Sequence, residues 1–164
     1  MKQTTSTKTA KIEPQRIETG KPLVIAGISE HYTHDAAEKI PDQWQRFAPS
    51  IGQIPGQISR TAYGVCTVTP DNSGFDYLSG VEIAPATTLD QNISVVRLPQ
   101  QQYAVFLHTD NVASIRDTFA LIWGSWVPQS AHRVADGPFF ERYGASFDAR
   151  TGNGGVEICI PLKP

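Results

Sequence analysis

Glutamates set among aromatic residues are the side chains of this sequence with the clearest potential for chemistry. Glu141 lies between Phe139 and Tyr143, at alternate positions of a short stretch. Because alternate residues of a strand share a face, one face of this stretch combines a carboxylate with two aromatic rings. A carboxylate in an aromatic cleft is costly unless a positive charge compensates it. That charge can come from an arginine of the chain, or from a bound organic cation that the aromatic faces also attract.

Two further glutamates, Glu82 and Glu157, lie in matching Gly-Val-Glu-Ile segments at 80–83 and 155–158. Alternation assigns the apolar residues of each segment to a helix-packed core and directs each glutamate to the other face. If two halves of the chain pack about a pseudo-twofold axis, these glutamates and the Glu141 face could line the cleft between them. A glutamate buried there without a partner would have a raised pKa and could act as a general acid or base. The alternative for both is a surface glutamate on the solvent side of an ordinary sheet.

Other arrangements of reactive residues do not form a recognisable site. His31 and His34 have the spacing of a metal-binding pair, but no second pair of ligands follows, so no metal or cofactor is expected. The glycine-rich stretch 151–155 lacks the Lys-Ser/Thr of a phosphate loop, and no Gly-x-Ser-x-Gly motif is present. Cys66 and Cys159 lie in apolar, strand-like runs and are predicted to be free, buried thiols.

Short motifs occur twice in the chain, in the same order. The Gly-Val-Glu-Ile segment repeats, Phe-Asp precedes both copies, and Tyr-Gly at 63–64 returns at 143–144. Trp44 and Trp123 lie at similar places in the two halves. Since internal repeats reveal architecture, we predict a tandem duplication within one domain at 12–164. Its first module covers 12–84, a linker covers 85–92, and the second module covers 93–164.

Each half shows the same succession of elements. An apolar run at 23–28 or 103–107 predicts a strand covered on both faces. A helix follows: Ile40, Trp44, Phe47 and Ile51 form one helical face, with Pro41 in the first turn. The second helix has a similar stripe, begins after Asn111 and ends near Pro128. Turn signals then separate strands at 61–69 and 75–84, and at 138–147 and 155–162. The pattern β-α-β-β, twice, predicts an α+β fold with mostly antiparallel sheets.

Composition narrows the possible functions. The chain has 164 residues and a formal net charge of −2, whereas a nucleic-acid binder usually carries a basic excess. No apolar run is long enough to span a membrane. Residues 1–11 are polar, contain no acid and lack the apolar core of a signal peptide, so we expect a mobile tail and a cytoplasmic protein.

Longer motifs of the second half strongly resemble the GyrI-like effector-binding domain, the ligand-sensing part of many AraC-type and MerR-type bacterial multidrug regulators. They are YAVFLH at 103–108, IWGSWVP at 122–128, DGPFFERY at 136–143 and VEICIP at 156–161. In the first half, IPDQWQRF at 40–47 and YGV at 63–65 look like the freestanding form of this domain, which includes integron-cassette proteins. The resemblance covers nearly the whole chain.

This resemblance implies two β-α-β-β modules about a pseudo-twofold axis, with a ligand cleft between them. It also implies a freestanding protein that binds bulky hydrophobic, often cationic molecules, with no direct nucleic-acid contact because no DNA-binding segment remains. The alternatives are a hydrolase of strained electrophilic molecules, in which Glu157 or Glu141 activates water and Trp126 holds the substrate, and an inhibitory module with a protein partner. The alternative for the tryptophans is a place in the core, because they lie at helical spacing. The ligand-binding residues that these arguments predict are Glu157, Glu141, Tyr143, Trp126, Trp123, Tyr103 and Glu82.

Overall fold

The computed structural model describes residues 11–164, so all but the last residue of the expected tail lies outside the described part of the chain. Its strands are β1 (Arg16–Gly20), β2 (Leu23–Thr33), β3 (Gln57–Val68), β4 (Gly74–Ile83), β5 (Ser94–Leu98), β6 (Gln101–His108), β7 (Phe139–Tyr143) and β8 (Val156–Leu162). Its α-helices are α1 (Ile40–Phe47), α2 (Ile115–Leu121) and α3 (Val127–Gln129), and the π-helical segment Ile122–Trp126 joins α2 to α3.

Within these residues the strands form one sheet in the order β1-β6-β8-β7-β3-β4-β2-β5, and neighbouring strands pair antiparallel. The protein is therefore α+β with an antiparallel sheet, as the sequence predicts. The predicted succession omitted β1 and β5, which precede the first long strand of each half. Both are short edge strands with mixed polar and apolar residues, so their hydrophobic pattern is weak.

The helices begin and end where local residues favour it. Pro41 lies in the first turn of α1, and Phe47 is buried at its end. The side chain of Asn111 accepts a hydrogen bond from the backbone N–H of Ala113, so it caps the short 3₁₀ turn that leads into α2. The helical segment continues through the π turn and ends just beyond Pro128.

Short connections force the sheet to curl. Residues 99–100 join β5, at one edge, to β6, which lies beside the opposite edge. Residues 21–22 likewise join β1 at that opposite edge to β2. Because an extended residue spans at most about 3.6 Å, the two margins of the sheet must lie near each other. The sheet therefore has a concave face and a convex face.

The two faces hold different cores. On the convex face, α1 packs on one half of the sheet and the α2–α3 segment packs on the other. The predicted apolar face of β8 lies here, since Ile158 and Ile160 pack against Ile122 and Trp126. The concave face closes on its own cluster, which is Leu23, Ile25, Tyr63, Val65, Leu78, Leu98, Tyr103, Val105, Phe140 and Cys159. Both cysteines are free and buried, as the sequence predicts.

Candidate functional site

Glu141 lies on the convex face of β7, and its side chain is enclosed by aromatic residues. Only 6% of its surface is exposed. The hydroxyls of Tyr77 and Tyr143 each donate a hydrogen bond of 2.6 Å to the same carboxylate oxygen, Oε1. The indole Nε1 of Trp44 in turn donates to the Tyr77 hydroxyl at 2.9 Å. One hydrogen-bonded chain therefore links α1, β4 and β7 to a single carboxylate.

A glycine makes room for this arrangement. Gly64 on β3 pairs with Glu141 on β7. A Cβ atom at Gly64 would lie 2.0 Å from the Tyr77 hydroxyl oxygen and 2.7 Å from Glu141 Oε1. Any side chain here would displace one or both groups, so the missing side chain lets Tyr77 reach across β3 to the carboxylate.

Gln43 of α1 fixes the helix and Tyr77 relative to the sheet. It is fully buried, and its side-chain NH₂ donates to the backbone carbonyls of Ile28 and Tyr77 at 3.0 and 2.9 Å. Its Oε1 accepts a hydrogen bond of 2.7 Å from the Tyr32 hydroxyl. Since every polar group of the amide is satisfied, α1 is held in one position above β2 and β4.

The aromatic rings around Glu141 contact one another edge to face. Trp44 packs against Tyr143 with 5.2 Å between ring centroids, and Tyr143 packs against Phe147 at 4.8 Å. From the other side, Trp123 packs on Phe139 at 5.3 Å. These rings, apart from Tyr77, keep part of their surface exposed. We call this set the aromatic cluster; it is Trp44, Tyr77, Phe119, Trp123, Phe139, Tyr143 and Phe147.

Electrostatics make this carboxylate unusual. Burial raises the pKa of Glu141, and the hydrogen bonds from Tyr143 and Tyr77 and the nearby His108 offset only part of that effect. Burial and the adjacent carboxylate raise the pKa values of Tyr77 and Tyr143 well above that of a free tyrosine. No lysine, arginine or histidine in residues 11–164 forms an ion pair with Glu141. The carboxylate is thus buried among rings without a compensating charge.

Glu157 is on the concave face, away from the aromatic cluster. On β8 it pairs with Arg142, whereas Glu141 pairs with Ile158, so the two glutamates point to opposite sides of the sheet. Arg142 Nε donates to Glu157 Oε1 at 2.8 Å, and Arg16 donates to Glu157 Oε2 at 2.9 Å. The expectation that Glu141 and Glu157 line one cleft is therefore not met.

The other predicted residues divide between the faces in the same way. Glu82 is on the concave face and forms a 3.2 Å ion pair with Lys21. Tyr103 is 1% exposed in the concave core, and its enclosed hydroxyl has no hydrogen-bond partner among residues 11–164. Trp126 packs in the convex core against Phe106 and lines a separate cavity of about 320 Å³. Of the predicted set, the structure brings together Glu141, Tyr143 and Trp123.

Sequence reasoning missed three residues that build this site. Tyr77 shares the parity of Val81 and Ile83, the apolar positions already assigned to the helix-packed face, so alternation alone would have placed it there. Gly64 lies inside a strand, which is a signal of close approach by another group. Trp44 is not among the predicted binding residues, because helical spacing cannot distinguish a core ring from one at a binding site.

Two further properties bear on the chemistry. In the part of the chain from residue 11 onward, no group of three or more metal-ligating side chains comes together. No helix in that same part has the length and apolarity needed to cross a membrane.

Comparison with known proteins gives a consistent family. Residues 14–163 match the GyrI-like family, described as a GyrI-like small molecule binding domain. The transcriptional regulator BrlR of Pseudomonas aeruginosa is 27% identical over 135 residues, which are 81% of this chain and 50% of BrlR. The chain therefore spans about half the length of this curated relative.

Solved structures share the fold. SAV2435, in a structure bound to tetraphenylphosphonium, superposes with a TM-score of 0.71 at 20% identity and covers 90% of this chain and 93% of its own. The integron cassette protein VCH_CASS2, from the mobile metagenome of Vibrio cholerae, has a TM-score of 0.67 at 18% identity and covers 95% and 100%. At these identities the likeness concerns the fold.

Proposed function

The chain belongs to the GyrI-like small molecule binding domain family, and we propose that it binds bulky hydrophobic organic cations at Glu141 and the aromatic cluster. The observation that carries the proposal is a carboxylate with 6% exposure and no ion-pair partner within the described residues, set among partly exposed rings. A cation bound against these rings would supply the missing charge.

The energetics favour a cation over other ligands. An unpaired carboxylate in a low-dielectric site is costly, so a positive charge close to it gains much more than it would in water. Each ring face that contacts the cation adds about 0.5–2 kcal/mol. An anionic ligand would meet the same carboxylate with like charge, and an apolar ligand would leave its charge uncompensated.

Relatives support the ligand class. SAV2435 has been solved bound to tetraphenylphosphonium, a bulky aromatic cation, and its fold matches this chain. BrlR is a transcriptional regulator, and this chain matches about half of it. We therefore propose that the domain senses or sequesters such molecules, with any effect on transcription arising through a DNA-binding segment outside the matched residues.

The test is a titration of the protein with tetraphenylphosphonium, followed by tryptophan fluorescence and by thermal unfolding. We expect saturable binding, and at 100 times Kd the ligand should add about 2.7 kcal/mol to the free energy of unfolding. Glu141→Gln keeps the size of the side chain and removes its charge, so it should weaken binding at least tenfold.

Matched variants decide between the two faces. Glu38 is exposed, and Glu38→Gln makes the same chemical change on the protein surface. Glu157→Gln makes it on the concave face. Loss of binding in Glu157→Gln with normal binding in Glu141→Gln would show that the concave face holds the ligand and would refute this proposal.

Hydrolysis is a second candidate, and the raised pKa of Glu141 is the observation that favours it. A carboxylate whose pKa lies closer to neutrality is a better general base for water than an ordinary glutamate. The distinguishing measurement is turnover of a strained electrophile, such as an epoxide, in molar excess over the protein. If the protein consumes more than one equivalent of the electrophile and Glu141→Gln does not, the protein is an enzyme. If it only binds one equivalent, the hydrolase is refuted and the binding function stands.

We also infer that the domain is a tandem duplication related by a pseudo-twofold axis between β3 and β7. Outward from this axis the strands run β3-β4-β2-β5 on one side and β7-β8-β6-β1 on the other. If β1 and β5 are counterparts, each half contributes its first strand to the other half. The repeated glutamates Glu82 and Glu157 both lie on the concave face, which supports the repeat. The Tyr-Gly match does not, since Tyr63 and Tyr143 point to opposite faces.

A further inference from the structure

The two oxygens of Glu141 have different surroundings. Both hydrogen bonds that the described residues donate to the carboxylate end on Oε1. Glu141 Oε2 accepts no hydrogen bond from residues 11–164, and it is not among the fully enclosed polar side-chain atoms without a partner there, which are Ser79 Oγ and Tyr103 Oη. One oxygen thus accepts two hydrogen bonds, and the other has an acceptor position that residues 11–164 leave without a donor, in a side chain that is 6% exposed.

Resting on the function proposed above, we propose that the site selects cations that carry an N–H donor, namely protonated secondary and tertiary amines, over quaternary ammonium and phosphonium ions. Any bulky ligand that covers the site removes water from Oε2. A protonated amine replaces that water with a short charge-assisted hydrogen bond. A quaternary cation offers charge and ring contacts only, so it leaves the acceptor without a partner, which is costly.

The tyrosines act as positioning residues in this selection. Two phenol hydroxyls hold Oε1 from different strands, Tyr77 from β4 and Tyr143 from β7. Rotation of the carboxylate about its terminal bond would break both contacts, so Oε2 is kept in one orientation. Gly64 is needed for the same geometry, because its missing side chain lets the Tyr77 hydroxyl approach Glu141 Oε1.

The rings around the carboxylate favour the same ligand class. Trp44 and Tyr143 lie on one side of the cluster, while Trp123 and Phe139 contact each other on its other side. An amine with an aromatic body can place its N–H on Oε2 and its rings against these side chains. The cluster therefore suits a ligand whose charge is at one end, rather than one whose charge is surrounded by carbon.

The experiment compares imipramine, a tricyclic tertiary amine that is protonated at pH 7, with N-methylimipramine, its quaternary derivative. Both have the same ring system and one positive charge on the side-chain amine nitrogen. They differ only at that nitrogen, where a methyl group replaces the hydrogen. Isothermal titration calorimetry of the wild-type protein should give an affinity at least about 10-fold higher for imipramine. In Glu141→Gln, where an amide NH₂ replaces Oε2, this ratio should fall to about one.

Further variants separate positioning from charge. Tyr143→Phe keeps the carboxylate but frees one side of Oε1, so it should lower the ratio while both cations still bind. Glu38→Gln, a charge change on the exposed surface, should leave the ratio unchanged. A ratio that responds to Tyr143→Phe is a readout that simple loss of stability would not move.

The outcomes distinguish this inference from the function on which it rests. If N-methylimipramine binds as tightly as imipramine, and both lose affinity in Glu141→Gln, selection for an N–H donor is refuted and the cation site stands. If both bind equally well to wild type and Glu141→Gln, or if neither binds, the proposed function itself is refuted, and this inference with it.

Discussion

Binding of an organic cation at Glu141 should depend on pH in a specific direction. Because burial raises the pKa of Glu141, the free site holds its proton to a higher pH than an ordinary glutamate does. A cation beside the carboxylate favours its ionised form, so it must displace that proton. Below the pKa of the free site, affinity should therefore rise with pH, by at most tenfold per unit because one proton is released. Above that pKa the affinity should become constant.

The magnitude follows from the difference between two pKa values. Each unit by which the pKa of Glu141 is higher in the free site than in the complex costs about 1.4 kcal/mol of binding free energy at low pH. The other titratable groups around the carboxylate are Tyr77, Tyr143, Cys66 and His108. The pKa values of the tyrosines and the cysteine are raised well above neutrality, so these groups stay protonated throughout.

Calorimetry measures this proton directly. Titrations with tetraphenylphosphonium at pH 5.5, in two buffers with different ionisation enthalpies, give the number of protons released per ligand bound. We expect a value between zero and one for the wild type and for Glu38→Gln, and a value near zero for Glu141→Gln. Proton release that persists in Glu141→Gln would show that Glu141 is not its source, and an affinity independent of pH from 4.5 to 8 would refute a raised pKa in the free site.

Three further predictions concern the frame of the site. Gly64→Ala should destabilise the protein by about 1–3 kcal/mol in urea unfolding and abolish cation binding, because its Cβ would lie 2.0 Å from the Tyr77 hydroxyl. Gly144→Ala is the control, because a Cβ atom there would have no atom within 4 Å. Equal effects of the two substitutions would contradict the reasoning. Tyr143→Phe removes a hydrogen bond to the Glu141 carboxyl and should lower the free energy of unfolding by about 1–3 kcal/mol; an unchanged urea midpoint would count against that bond. Both cysteine thiols are buried with raised pKa values, so Ellman's reagent at pH 8 should label them slowly in the native protein and fast in urea; rapid native labelling would show that one of them is accessible.

Periodicity predicted most of the fold because the long strands carry strong patterns. The runs at 23–28 and 103–107 became β2 and β6. The helical stripe from Ile40 to Ile51 became α1 and a 3₁₀ turn at Ala48–Ser50, so the α-helix ends earlier than the stripe. The short edge strands β1 and β5 were not predicted, since a half-exposed strand of five residues has no distinctive alternation. The curl of the sheet follows from the two short connections between its margins. The sequence does not predict it, because it does not show which strands lie at those margins.

The same physics explains what was right and wrong about the site. Alternation within one strand placed Phe139, Glu141 and Tyr143 on a common face. Alternation does not relate one strand to the next, however, and β7 carries aromatic residues on both faces, with Phe139 on one and Phe140 on the other. Only the register of β7 against β8 shows that Glu157 points the opposite way.

The two glutamates illustrate why a buried carboxylate must be judged by its neighbours. Glu157 already has Arg142 and Arg16 within 3 Å, so a ligand cation there would have to displace or repel guanidinium groups. Within residues 11–164, the groups that hydrogen-bond to the Glu141 carboxylate are phenol hydroxyls, which favour its ionised form without supplying a positive charge. In the free protein it can take up a proton and remain neutral, which limits the cost of burial. A cation then gains the attraction of the ionised carboxylate less the cost of removing that proton. Glu141, rather than the better-paired Glu157, is therefore the residue whose charge a ligand can change.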